Sequence, residues 1–207
     1  MAATLPPALV DQIAEGNVVL FLGSGASIGA TSTDPTVQVP KGAELADLIA
    51  TKFLNPSYKG KPLQYVSQLA QSESDMFTVQ QYVADLFAHF GPGKQHLLLP
   101  LFEWKCIITT NYDRIIEDAY RLTPKRLQNI EPFIKNGERL SQKIKTRSDI
   151  QYLKLHGCLS SINDNDIPLI LTPEQYVTYR HGRSRLFDRM KELAYEHPFV
   201  FVGFSFE

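Results

Sequence analysis

The chain has 207 residues, a formal net charge of -1, and a composition that is 43% hydrophobic and 21% charged. That length buries a real core without disulfides or metals, and the near-zero charge excludes a global attraction to nucleic acid or acidic membranes. The two cysteines, Cys106 and Cys158, are too few for a four-cysteine zinc site and read as buried free thiols. Residues 1–7 lack the basic start and long apolar stretch of a secretory signal, and no apolar run approaches membrane-spanning length. The expectation is one cytoplasmic domain over residues 1–207, with no metal and no membrane segment.

Thr4, Pro6 and Pro7 suit the start of a short helix whose Leu9, Val10 and Ile13 line one face and which stops at Gly16. Val18 to Leu22 is a short apolar run ended by Gly23, the pattern of a strand buried on both faces of a parallel sheet. A polar loop follows, then helices over 43–54, 63–71 and 76–90. The last carries Val79, Val83, Leu86 and Phe90 at helical spacing and is broken by Gly91-Pro92-Gly93. This block, about 43–104, reads as a helical insertion between two strands. The second strand is Cys106 to Thr109, followed by a helix carrying Ile115, Ile116 and Ala119.

Residues 123–149 are polar and hold seven Lys or Arg. They read as a solvated surface segment rather than a nucleic-acid patch, because no regular aromatic interleaving accompanies the charge. Ile150 to Leu155 reads as a third strand. Thr172-Pro173-Glu174-Gln175 fits a capping box with proline at the first helical position. It opens helices over 173–180 and 184–195, and Phe199 to Val202 makes a fourth strand. A sheet of this kind normally continues beyond such a strand, so the chain is expected to be the N-terminal part of a longer protein.

Each apolar strand is followed at once by small or polar residues: Gly23-Ser24-Gly25-Ala26-Ser27, Thr110-Asn111-Tyr112-Asp113, His156-Gly157 and Gly203-Phe204-Ser205. Ligands of parallel α/β sheets bind outside the carboxyl ends of the strands. If the strands are parallel, all four groups face one crevice. Gly23 and Gly25 let a backbone approach a diphosphate closely, although a plain tight turn explains them equally well. The usual dinucleotide fingerprint is not met, since Ile28 stands where its third glycine belongs. Asn111 suits hydrogen bonding to a carboxamide, a ribose hydroxyl or a water. Asp113 suits a helix cap as well as a ligand contact. His156 is placed to act as a general base, while His89, His96, His181 and His197 read as structural.

In order and context these four groups resemble the motifs of the sirtuin family: Gly-Ala-Gly-x-Ser, Thr-Gln-Asn-x-Asp, His-Gly and a late Gly-x-Ser. The resemblance implies a Rossmann-like α/β sheet flanked by helices that binds NAD⁺. It implies that Asn111 and His156 are catalytic, that Asn111 and Asp113 line the nicotinamide end, and that Thr110 also binds the cofactor. Gly23, Ser24, Gly25, Ala26 and Ser27 would hold the diphosphate, with Gly203 and Ser205 along the adenosine half. The four-cysteine zinc module of sirtuin deacylases is absent from this sequence, as is their Gly-Ile-Pro-x-Phe-Arg run. The resemblance is therefore to the zinc-less, NAD⁺-hydrolysing sirtuin-like domains of prokaryotic anti-phage defence. It implies a homo-oligomer or a fused or associated sensor protein. The alternatives are an NAD⁺-dependent deacylase and a non-catalytic module that binds NAD⁺ or ADP-ribose.

Overall fold

In the computed structural model, which describes residues 5–34, 36–164 and 166–204, the chain opens with helix α1 (Pro7–Ala14). Its leading proline sits at the first helical position, where no N–H partner is lost. Thr4, expected to start this helix, lies outside the described residues. Strands β1 (Val19–Leu22) and β2 (Thr31–Ser32) follow, then helices α2 (Gly42–Phe53), α3 (Leu63–Glu73) and α4 (Met76–Phe87) and strand β3 (Phe90–Gly91). Next come β4 (Cys106–Thr109), α5 (Ile115–Leu122), β5 (Asn129–Phe133), α6 (Leu140–Lys143) and β6 (Asp149–Lys154). Helices α7 (Pro173–Val177) and α8 (Ser184–Glu196) lead into β7 (Phe199–Val202).

Five strands form one sheet in the order β5-β6-β4-β1-β7, and every pairing in it is parallel. Successive side chains of a strand point to opposite faces, and the core divides accordingly. Val19, Phe21, Cys106, Ile108, Leu153 and Leu155 pack on one face with Leu186, Phe187 and Leu193 of α8. Leu20, Leu22, Ile107, Ile150 and Tyr152 pack on the other with Ile116 and Tyr120 of α5 and with Leu9 and Ile13 of α1. Burial on both faces is why the inner strands read as unbroken apolar runs rather than alternating ones.

The helical block between β1 and β4 has a core of its own. Leu45, Ile49, Val66, Val79 and Val83 come together there, closed by Ile162, Leu169 and Leu171 from the segment between β6 and α7.

The structure corrects three expectations. The polar stretch 123–149 is not merely surface, for it contains the edge strand β5, paired with β6 from Asn129 opposite Asp149 to Phe133 opposite Leu153. Its sequence, Asn-Ile-Glu-Pro-Phe, lacks an apolar run and is only partly buried before Phe133, and its proline is tolerated where one ladder is missing. The helix expected over 76–90 ends at Phe87. Phe90 and Gly91 instead pair antiparallel with Ser32 and Thr31. The helix expected over 173–180 ends at Val177. Among the described residues, no helix is long and apolar enough to cross a membrane.

Candidate functional site

The carboxyl ends of β1, β4, β6 and β7 lie side by side because the strands are parallel and in register. After β1 the chain makes a single 3-10 turn over Ser24–Ser27. Its glycines answer first to the neighbouring strand end. A Cβ on Gly23 would stand 2.6 Å from the Gly203 carbonyl oxygen, and one on Gly25 would stand 2.9 Å from the Gly203 Cα. Gly203 itself has φ +75°. The Gly23, Gly25 and Ala26 N–H groups donate to the carbonyls of Val202, Gly203 and Gly23, so the turn's amides are largely engaged within the protein. His96 braces the same turn: its Nδ1 accepts from the Gly93 N–H and its Nε2 meets the Ala26 carbonyl at 2.7 Å.

Beyond β4, Asn111 and Asp113 knit this turn to the next helix. Asn111 Nδ2 donates to the Gly23 carbonyl (2.9 Å) and to Ser27 Oγ (3.0 Å). Ser27 Oγ in turn donates to Asp113 Oδ2 at 2.6 Å. Asp113 Oδ1 accepts the Ile115 N–H at 3.0 Å, at the start of α5. Asp113 is thus tied by one oxygen to the helix start and by the other to the glycine turn. Behind it, the fully buried Lys154 donates to the Asp113 carbonyl and pairs with Glu117 at 2.8 Å. Asn111 Oδ1 has no hydrogen-bond partner among the described residues.

His156 stands at the end of β6, before Gly157, whose φ is +96°. Its ring meets Tyr176 of α7 edge to face, with centroids 5.6 Å apart. Neither ring nitrogen has a hydrogen-bond partner among the described residues. Burial first, and then the Arg183 guanidinium, push the imidazole down to about 4. It is therefore uncharged at neutral pH, with a lone pair open to a proton.

A cavity of about 280 Å³ joins these groups. Ser24, Ser27, Thr110, Asn111, Asp113, His156 and Gly203 all line it. Gly23, Gly25 and Ala26 lie behind its surface as the frame of the turn, and Ser205 lies outside the described residues. Tyr112, within one of the four groups, also lines it, and so do Tyr176 and an apolar wall of Leu45, Leu63 and Phe87 from the helical block, which the sequence reading did not single out. The capping box at Thr172 was a signal for Tyr176, since it fixes where α7 begins. Nothing local marks the other wall residues, because distant packing brings them in. Among the described residues, no cluster of His, Cys, Asp or Glu could hold a metal ion.

A parallel sheet that gathers an amide, a carboxylate and a neutral imidazole at its strand ends defines a Rossmann-like α/β protein with a ligand crevice. Residues 105–207 match the family model described as a SIR2-like domain. That stretch is therefore similar to SIR2-like domains, a family that binds NAD⁺. The matched stretch includes Thr110, Asn111, Asp113, His156, Gly203 and Ser205, while the glycine turn precedes it. No curated protein matches the chain.

Proposed function

We propose that this site binds NAD⁺ as a substrate and hydrolyses the bond between nicotinamide and ribose. The observation that carries this reading is the pairing across one cavity of Asn111, whose Oδ1 is unused, with His156, whose imidazole is neutral and unbonded. The SIR2-like match supports the choice of ligand. The cavity suits the nicotinamide-ribose half, being at the small end of ligand sites at about 280 Å³. The apolar wall of Leu45, Leu63 and Phe87 suits an aromatic ring. Ser24 is exposed at the rim, toward the side where the diphosphate would lie, with Gly203 toward the adenosine half.

Nicotinamide leaves a cationic centre as a neutral molecule, so its departure needs no acid, unlike the leaving group of an ordinary glycosidase. Water then needs only positioning and a proton acceptor. Asn111 Oδ1 orients the water or a ribose hydroxyl. The Asn111 amide cannot swing away, because two hydrogen bonds hold it. His156 takes the proton. The products are nicotinamide, ADP-ribose and a proton, or a cyclic ADP-ribose if a ribose hydroxyl attacks instead. Depletion of NAD⁺ in an anti-phage response is the biological role we assign to this activity, with an oligomer or a sensor protein as its control.

The test is incubation of the full-length protein with NAD⁺, followed by chromatography of nicotinamide and ADP-ribose. An acylated peptide is included in a parallel reaction. Equal release with and without the peptide is the expected result. Release only with the peptide would move the reading to a deacylase. Binding of NAD⁺ with no release would move it to a regulatory module.

A further inference from the structure

Arg183 is a buried cation with few partners. It is only 3% exposed, and among the described residues its guanidinium makes one hydrogen bond, from a terminal nitrogen to the Pro168 carbonyl. Its Nε is buried without a partner. Among the described residues no carboxylate stands within ion-pair distance of it. The acid that acts on it electrostatically is Asp164. That carboxylate is taken up elsewhere: Lys135 Nζ meets its Oδ2 at 2.6 Å, and the Asp166 N–H reaches its Oδ1 at 3.1 Å. Burial lowers Arg183 to about 10, so it keeps its charge at neutral pH. An unpaired buried cation is costly to a fold.

The place of this charge gives it a use. A Cβ on Gly157 would stand 3.3 Å from the Arg183 Nη2, so the guanidinium lies against the turn that carries His156. The other groups around the imidazole do not offset it. Tyr176 faces it with a ring edge. The Tyr112 hydroxyl is bonded to the Ile170 carbonyl at 2.6 Å, and burial keeps that phenol protonated. Both oxygens of Asp113 are bonded to Ser27 and Ile115.

We propose that Arg183 is a positioning residue for His156: its guanidinium, packed against the His156–Gly157 turn, adds to burial in keeping the imidazole a proton acceptor while an anionic ligand occupies the crevice. A diphosphate brought near a histidine favours its protonation, which would remove the base when substrate binds. A fixed cation against the His156–Gly157 turn resists that. The catalytic use of this device rests on the hydrolase reading, but its electrostatic part does not.

The experiment is an NMR titration of the His156 ring in the ligand-free full chain, compared with Arg183→Met, Arg183→Lys and Lys135→Ala. The Met change removes the charge and keeps most of the stem. The Lys135 change lies on the surface, with a side chain 46% exposed, and frees Asp164 to neutralise Arg183. The His156 midpoint is expected to rise by about one pH unit in Arg183→Met, to rise by less in Lys135→Ala, and to stay in place in Arg183→Lys. If Arg183→Met does not fold, Lys135→Ala decides. A midpoint unmoved in every folded variant that lowers the charge would overturn the proposal. No NAD⁺ is needed, so a shifted midpoint without nicotinamide release would refute the hydrolase reading alone.

Discussion

The two walls of the cavity are built on opposite plans. On the first, Ser27, Asn111 and Asp113 form a closed chain of hydrogen bonds that ties the turn after β1 to the start of α5. On the second, His156 makes no side-chain hydrogen bond among the described residues and meets only the edge of Tyr176 and the field of Arg183. A bonded wall fixes geometry, and its members contribute to folding whether or not a ligand binds. An unbonded group in a half-buried cavity contributes little to folding and keeps its lone pair for chemistry. Substitutions should therefore separate into those that cost stability and those that cost activity.

The largest stability effect is expected at the frame of the first wall. A Cβ on Gly203 would stand 2.0 Å from the Ala26 nitrogen, at a φ of +75°. Gly203→Ala should cost about 3 kcal/mol or more, read as a lower denaturant midpoint. Asp113→Ala comes next, at about 2 kcal/mol, because it strands the Ile115 N–H and the Ser27 hydroxyl. Ser27→Ala, which removes a middle link and leaves the helix start capped, should cost about 1 kcal/mol. Equal costs for Asp113→Ala and His156→Ala would break the contrast between the walls.

At neutral pH the smallest effect belongs to His156, and it grows as the pH falls. Its folded pKa, about 4, lies below the ordinary 6.5, so the unfolded chain binds more protons between those values. Stability then falls as pH drops from 6.5 toward 4, by about 1 kcal/mol per unit at most. His156→Ala should flatten that part of the stability profile in urea titrations and leave the region above pH 7 within about 1 kcal/mol of the wild type. A wild-type profile with no such slope would show that burial does not depress this imidazole.

The inner strands were legible because continuous apolar runs, each stopped by a small or polar residue, allow few other readings. β4 was found to the residue, from Cys106 to Thr109. β5 was illegible for the opposite reason: an edge strand containing Glu131 and Pro132 carries no apolar pattern to find. At the site, the residues at strand ends were readable because the chain direction of a parallel sheet puts them together. Arg183 and the wall of Leu45, Leu63 and Phe87 were not, since their approach depends on how the helical block and the segment before α8 fold over the crevice. The double duty of Asp113, holding both a helix start and a distant turn, was half visible: aspartate before a helix reads as a cap, but Ser27 lies 86 residues away.

The most direct test of the account is nicotinamide release by wild type, Asn111→Ala and His156→Ala, measured beside their melting temperatures. The account predicts that both variants lose activity by about a hundredfold or more. Only Asn111→Ala should also melt clearly below the wild type, since it alone gives up bonds to Gly23 and Ser27. Full release by a folded His156→Ala protein would contradict the account, because the unbonded imidazole would then have no part in the chemistry.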